Sequence, residues 1–314
     1  MISGRMREAK DVIEWLLDGD PAVRWQVRRD LLGESPSAYE ADRARIAEEG
    51  WGRQFLECLN SEGTWPNERW TGPVWTLCTL VDLGFPSDEP NVQRAAELFL
   101  ERHLTAERAL DRSWQLKHMD LCHLGFWLRI GAYFGFYPER LKNIADTLLS
   151  VQFADGGWNC RMRMKPSSRH SSFHTTFNVL GGLREAAWTG LIPRTGFQAS
   201  EDRAMEFMVA HRMYRSDRTG EVVDQRFTHL AYPSHWHYTV LRGLDYMRLT
   251  GTITDERLAD PLDLIEQRRK PNGRWVVEKR IPGISLFDLE KQGGDSRWNT
   301  LRAMRTLKAS GRSA

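Results

Sequence analysis

The sequence predicts an all-α protein built from a helical unit that recurs about six times. Six predicted helices each end at a glycine, and successive glycines are 51, 51, 55, 61 and 60 residues apart. Glycine after a helix favours the left-handed conformation that ends it. No segment combines apolar–polar alternation with the turn signals of a β-sheet. The six glycines are Gly33, Gly84, Gly135, Gly190, Gly251 and Gly311.

Local signals place the individual helices. Asp20 and Pro21 predict the start of a helix that runs to Gly33, because Asp caps helices and Pro suits their first position. Pro73 predicts the start of an apolar helix, and Ser200, followed by acidic residues, predicts the cap of a later one. Further predicted helices cover residues 91–104, 120–135, 138–152, 171–190, 235–251, 255–269 and 296–311.

One-sided helices alternate with helices that are apolar on nearly every side. Residues 120–135 are apolar nearly all round, whereas residues 138–152 have a single apolar face. A helix that is apolar all round is buried, and a one-sided helix covers it. We therefore expect an inner and an outer layer in one domain spanning residues 1–314. The pairs could form an open superhelix or a closed barrel, and the count of six favours closure.

Composition narrows the class of protein. The 44 basic and 42 acidic residues leave a net charge of +2, so bulk charge gives no reason to expect nucleic-acid binding. No apolar run is long enough for a signal peptide or an integral membrane segment. We expect a cytoplasmic protein with free thiols, because the cysteines show no CxxC spacing. They are Cys58, Cys78, Cys122 and Cys160.

Three turns share one pattern, a glycine followed two residues later by a tryptophan. They run from Gln152 to Trp158, from Leu59 to Trp65 and from Arg269 to Trp275. The first resembles part of the QW repeat of squalene and oxidosqualene cyclases, which are related to protein prenyltransferases. The resemblance implies an (α/α)6 toroid, a barrel of about six helical hairpins around a central apolar cavity. In that superfamily the turns connect helices and carry no chemistry.

A second resemblance concerns a metal. Protein prenyltransferases carry an Asp-x-Cys pair at the start of one inner helix and a His, between an aromatic residue and Thr, at the start of a following one. Asp120-Leu121-Cys122 is similar to the first segment, and Phe173-His174-Thr175 to the second. The resemblance implies a catalytic zinc held by Asp120, Cys122 and His174.

Carboxylate, thiolate and imidazole are sound zinc ligands, and three of them leave one position open. Residues i and i+2 do not face each other inside a helix, so Asp120 is expected at or before the N-cap. Alternatively, Asp120 is only a cap, Cys122 a core residue and His174 a hydrogen-bonded side chain. Other histidines could replace a ligand: His123, His170, His235 and His237.

Aromatic and basic residues suggest a substrate site. If the inner helices run parallel, their N-termini gather at one end, where aromatic rings would suit an apolar chain or a carbocation. A basic loop could bind a diphosphate, or could simply be solvated. The substrate-binding candidates are Trp75, Trp127, Phe173, Trp236, Tyr238, Trp298, Asn299, Arg161, Arg163, Lys165, Arg169 and His170.

These features lead to one main hypothesis and two alternatives. The main hypothesis is a zinc enzyme acting on an isoprenoid-like or other apolar substrate, with His235 and His237 as acid–base groups. A metal-free cyclase would use Asp120 as its acid. A non-catalytic scaffold would keep the apolar pocket without the chemistry.

Overall fold

The all-α class is confirmed. The computed structural model describes residues 2–66, 72–163, 165, 167–281 and 285–313, with the backbone alone for residues 2–9 and Arg163. Within these ranges the regular structure is helical, and pairing between extended segments is limited to isolated bridges such as that between Arg215 and Val222. No described helix combines the length and the apolar character that crossing a membrane requires.

The helices are numbered in chain order. The first half contains α1 (Ile2–Leu17), α2 (Pro21–Gln26), α3 (Pro36–Ala44), α4 (Gly50–Glu57), α5 (Pro73–Leu83), α6 (Pro90–His103), α7 (Ala106–Leu110), α8 (Arg112–His118) and α9 (Leu121–Phe134). The second half contains α10 (Pro138–Ser150), α11 (Phe173–Trp188), α12 (Arg194–Ala210), α13 (Val240–Met247), α14 (Ala259–Gln267) and α15 (Arg297–Ala309).

The chain divides into two compact units. Unit 1 comprises Met1–Glu57, Asp82–Pro86 and Val209–Ala314, and unit 2 comprises Cys58–Val81 and Ser87–Met208. Unit 1 joins the two ends of the chain through a buried ionic cluster. Asp245 in α13 accepts a 2.5 Å hydrogen bond from Arg305 Nε in α15, and Arg305 Nη1 lies 2.9 Å from Asp30. Paired charges of this kind offset part of the cost of their own burial.

Unit 2 has α9 and α11 at its centre. Both helices are buried over most of their length, whereas α10 and α12 each bury one side. This difference follows from their sequences, since a helix with polar residues on one side keeps that side in water. The predicted contrast between fully apolar and one-sided helices is therefore present in this unit.

The glycine pattern is confirmed. All six glycines at the predicted helix ends have φ between 67° and 80°, the left-handed region where side chains are disfavoured. Asp20 caps α2 as predicted, accepting a 2.8 Å hydrogen bond from the Ala22 N–H. The helix then continues from Val27 to Leu32 with a wider π-type winding before Gly33 ends it.

The Gly-x-Trp turns are structurally equivalent. In the turn that ends at Trp158, the Phe153 N–H donates to the Gly157 carbonyl at 2.9 Å, and in the one that ends at Trp275 the Lys270 N–H donates to the Arg274 carbonyl at 2.9 Å. The two indoles donate to carbonyls ten residues upstream, at Leu148 and Ile265, at 2.7 Å in both cases. These two turns therefore fix the end of the preceding helix, as predicted.

Two predicted helix starts are wrong. Ser200 lies inside α12, which begins at Arg194, directly after the proline of the preceding turn. Its hydroxyl donates to the Gln152 side chain at 2.8 Å, so this serine links α12 to the Trp158 turn instead of capping a helix. The helix predicted to start at His235 is α13, which begins at Val240. The Thr239 side chain caps it by accepting a hydrogen bond from the Arg242 N–H.

Candidate thiol and metal site

The starts of α9 and α11 are held side by side by a close backbone contact. A Cβ atom placed on Gly125 of α9 would stand 2.6 Å from the Asn178 carbonyl oxygen of α11, and one on Gly182 would stand 2.4 Å from the Gly125 oxygen. Only residues without a side chain allow two helices to approach this closely. The first turns of the two helices, which carry Cys122 and Thr175, consequently face the same region.

The Trp158 turn brings a second cysteine to this region. The Trp158 N–H donates to the Thr176 hydroxyl at 2.9 Å, and the Ser172 N–H donates to the Trp158 carbonyl at 2.8 Å. Cys160 follows two residues later, and its N–H donates to the Thr175 hydroxyl at 3.3 Å. The turn thus fixes the position of Cys160 against the start of α11.

Cys122 and Cys160 form a thiol pair. Their Sγ atoms are 3.3 Å apart, and both residues are half-buried. The Cys160 sulfur also accepts the Cys122 N–H at 3.4 Å and the Thr175 hydroxyl at 3.3 Å. The donated amide belongs to the first turn of α9, where unpaired N–H groups favour negative charge.

The pKa values of the two thiols are shifted in opposite directions. Hydrogen bonding to the Cys122 thiol lowers the pKa of Cys160 to about 7, and the Thr175 hydroxyl adds to this effect. The pKa of Cys122 is raised, first because its proton is shared with Cys160 and then because it is buried. The pair therefore gives up its first proton much more readily than its second.

The other predicted zinc ligands lie on the same two helices. Asp120 is the N-cap residue of α9, as predicted, although its side chain does not cap the helix. His174 is in the first turn of α11 and is half-buried. His123 is one of the residues that line a neighbouring cavity.

The site fits zinc in part. Two thiolates bound to one zinc at ~2.3 Å stand roughly 3.8 Å apart, close to the observed separation of 3.3 Å between Cys122 and Cys160. Among the described residues, no three His, Cys, Asp or Glu side chains are grouped in a way that could hold a metal ion. The sulfurs are suitably placed, but a complete ligand set is not assembled in advance.

A cavity of about 510 Å³ lies beside the start of α9 in unit 2. His123 and Trp127 of α9 are part of its wall, and their spacing of four residues places them on one helix face. Its lining combines aromatic rings with cationic side chains. The residues that line it include Trp65, Leu98, Phe99, Arg102, His103, Arg108, Met119, His123 and Trp127.

The other aromatic candidates of unit 2 are packed in the core. Trp75 meets Phe126 edge-on with ring centroids 4.9 Å apart, and Phe173 packs on Phe207 at 5.4 Å. Both Trp75 and Phe173 are buried. Of the predicted aromatic contacts in this unit, Trp127 is the one that lines the cavity.

Four of the predicted residues in unit 1 directly precede α13. His235, Trp236 and His237 lie in the turns before α13, and the two rings of Trp236 and His237 stack at 4.0 Å. Burial lowers the pKa of both His235 and His237 to about 4, with nearby arginines adding to the shift, so both imidazoles are neutral at pH 7. Tyr238 is also buried, and its hydroxyl donates to the Met213 carbonyl at 2.8 Å.

Trp298 and Asn299 occupy the first turn of α15, equivalent to the His174 segment of α11. In both helices a Thr hydroxyl, Thr176 or Thr300, accepts the N–H of the preceding turn's tryptophan. Trp298 stacks on Tyr232 with centroids 5.1 Å apart. Asn299 is buried and donates to the Val276 carbonyl at 3.0 Å, a contact that supports the turn.

The basic loop begins at Cys160 itself. Arg161, Lys165, Arg169 and His170 are exposed to solvent, and the side chain of Arg163 lies outside the described residues. The His170 carbonyl accepts a hydrogen bond from the Asn159 side chain at 2.8 Å. The loop therefore exposes basic side chains in the residues that follow Cys160 in the sequence.

The sequence did not single out Cys160 or Thr175 as partners of Cys122. The available signal was their position relative to the Trp158 turn. Cys160 follows this turn by two residues, and Thr175 directly precedes Thr176, which accepts the Trp158 N–H. Comparison of the chain with protein families, curated proteins and solved structures found no match. The resemblance to prenyltransferases and cyclases stays a prediction.

Proposed function

We propose that this protein is a zinc-dependent enzyme, similar to prenyltransferases and terpenoid cyclases, that acts on an isoprenoid-like or other apolar substrate. The observation that supports this proposal most is the approach of the Cys122 and Cys160 sulfurs to 3.3 Å at the start of α9. Two cysteine sulfurs at this spacing are soft donors of the kind that zinc prefers, and a carboxylate and an imidazole lie on the same helix starts. The proposal includes the arrangement of the helical hairpins as an α/α toroid.

In this proposal Cys122 and Cys160 supply two sulfur ligands and one of Asp120 and His174 supplies the third, which leaves one position open for water or substrate. Zinc bound there would act as a Lewis acid or lower the pKa of a bound water or thiol. The Cys122 N–H and the Thr175 hydroxyl already donate to Cys160, so they would orient its sulfur and stabilise its charge. These contacts assign Thr175 a positioning role.

The cavity beside α9 supports the proposed class of substrate. Trp65, Phe99 and Trp127 offer aromatic surface to an apolar chain, while Arg102 and Arg108 offer positive charge to an anionic group. The exposed basic loop after Cys160 offers a second position for such a group. The acid–base roles of His235 and His237 stay predictions, and their low pKa values would make them proton acceptors of weak basicity.

The test is the metal content of the purified, reduced protein, measured by elemental mass spectrometry. We expect about one zinc per chain, lost in Cys122→Ala and Cys160→Ala and reduced in His174→Ala. Cys58→Ala is the matched control, since Cys58 is another half-buried cysteine remote in sequence from the site. Wild-type protein that holds no zinc after purification without chelator, and takes up none when zinc is added, would refute the proposal.

A further inference from the structure

We propose that Cys122 and Cys160 form a reversible disulfide in response to hydroperoxides. The Sγ atoms are 3.3 Å apart, and a disulfide bond is ~2.05 Å long, so the sulfurs need to approach by roughly 1.3 Å. The two residues are 38 positions apart, so the bond would tie the Trp158 turn to the start of α9.

The two cysteines differ from Cys78 in burial and in their hydrogen bonds. Each is half-buried, whereas Cys78 is buried. The Cys160 sulfur accepts hydrogen bonds from the Cys122 N–H and the Thr175 hydroxyl. Donors aimed at a sulfur stabilise its thiolate, which is the form that attacks. The geometry therefore assigns Cys160 as the attacking sulfur and Cys122 as the resolving one.

The reaction proceeds in two balanced steps. The Cys160 thiolate attacks one oxygen of a hydroperoxide: an S–O bond forms, the O–O bond breaks, and the leaving alkoxide or hydroxide takes up a proton. Cys160 is then a sulfenic acid. The Cys122 sulfur attacks the Cys160 sulfur: an S–S bond forms, the S–O bond breaks, and hydroxide leaves as water. Two thiols are oxidised, and one hydroperoxide is reduced to an alcohol, or to water, with release of a further water.

This inference requires no metal and does not depend on the proposed enzyme function. If zinc is bound as proposed, the disulfide would remove both sulfur ligands, and oxidation would release the metal. If zinc is absent, the pair still reacts. The two proposals can therefore fail separately, because zinc content is measured on reduced protein and disulfide formation on protein treated with a chelator.

The experiment treats reduced, chelator-treated full-length protein with hydrogen peroxide and follows its intact mass. We expect the loss of two hydrogens per chain, a peptide joining residues 122 and 160 in a non-reducing digest, and full reversal by dithiothreitol. Cys58→Ser, the control, should behave as wild type. The proposal would be overturned if the thiols stay unlinked after a peroxide dose that oxidises free glutathione. It would also be overturned if Cys160 is oxidised to sulfinic acid without the link to Cys122.

Single variants test the order of attack. In Cys122→Ser, we expect a sulfenic acid at Cys160 that a 1,3-dione reagent captures. In Cys160→Ser, capture at Cys122 should be at least tenfold slower. Equal capture in both variants would overturn the assignment of Cys160 as the attacking sulfur. Circular dichroism establishes that both variants are folded, and the wild-type measurement decides the disulfide proposal in any case.

Discussion

Gly125 of α9 and Asn178 of α11 touch through their backbones, with room between them for a hydrogen but not for a methyl group. A Cβ at position 125 would stand 2.6 Å from the Asn178 oxygen and 3.0 Å from its carbonyl carbon. Backbone atoms cannot move aside as a flexible side chain can. This contact sets the separation of the two helices and, one turn earlier, the position of Cys122 beside Thr175.

Gly125→Ala should therefore separate the helices. Overpacking of this kind typically costs about 1–3 kcal/mol, and urea denaturation measures the loss. The yield of the Cys122–Cys160 disulfide should fall together with stability. Gly196→Ala is the control, because a Cβ at Gly196 in α12 would meet nothing within 4 Å. This control should leave stability unchanged or raise it by up to about 1 kcal/mol. A tolerated Gly125→Ala would contradict the assigned contact.

The buried indole hydrogen bonds should contribute equally in the two equivalent turns. Trp158→Phe and Trp275→Phe remove the donors to the Leu148 and Ile265 carbonyls, both at 2.7 Å. Each carbonyl keeps one backbone donor, the Val151 or the Arg268 N–H, so each variant loses one buried hydrogen bond, at about 0.5–1.5 kcal/mol. The smaller ring also leaves a cavity at a fully buried position, which adds to the cost. Each variant should lose about 2 kcal/mol in thermal or urea unfolding.

Trp188→Phe is the comparison for these variants, since Trp188 is 74% exposed. Its stability should change by no more than about 0.5 kcal/mol. If Trp158→Phe were as mild as this exposed substitution, the turn would not depend on the indole N–H.

Removing one charge from the ionic cluster of Asp245, Arg305 and Asp30 should strongly destabilise unit 1. Burial by itself raises the pKa of Asp245, yet Arg305 and Arg248 hold it well below its usual range. Asp245→Asn would leave the buried Arg305 without its closest carboxylate, at a cost of about 3–5 kcal/mol. Asp288→Asn breaks an exposed pair with Arg280 and should cost less than about 1 kcal/mol.

A double variant separates charge from packing in this cluster. Asp245→Leu combined with Arg305→Met removes both charges and should recover much of the loss, because no ion stays buried alone. Equal instability of the single and double variants in urea denaturation would show that shape, and not charge, governs the site.

Glu290 gives the stability a pH dependence of known sign. Burial raises its pKa from 4.5 to about 7, although hydrogen bonds from Ser296 and the Trp298 N–H act in the opposite direction. The folded protein therefore holds this proton more tightly than the unfolded chain. The stabilisation by protonated Glu290 is complete below about pH 4.5 and is lost as the pH rises through about 7.

Glu290→Gln should remove this dependence. The difference in unfolding free energy between variant and wild type should change by up to about 3 kcal/mol between pH 4.5 and pH 7, in favour of the variant at the higher pH. Comparing variant with wild type cancels His235 and His237, whose lowered pKa values act in the opposite direction. Glu57→Gln, at an exposed side chain, should follow wild type. A constant difference across this range would contradict the assigned pKa.

Local chemistry explains how much of the fold was predictable. The Asp20 cap, the six glycines and the Gly-x-Trp turns depend on neighbouring residues, so the sequence alone indicated them. The errors at Ser200 and His235 have the same origin. A serine before acidic residues suits a cap equally well inside a longer helix, and Thr239 competed successfully for the next one. Local signals identify possible caps but do not choose among them.

By itself the sequence determined the all-α class and the repeated helix ends. The tertiary structure decided which side chains meet at the start of α9. Cys160 lies 38 residues after Cys122, and its position two residues after the Trp158 turn does not indicate which side chain it meets. Their approach depends on the Gly125 contact and on the hydrogen bond that holds Trp158 to Thr176, at 2.9 Å. Such a pairing is set by packing between distant segments, which no local pattern records.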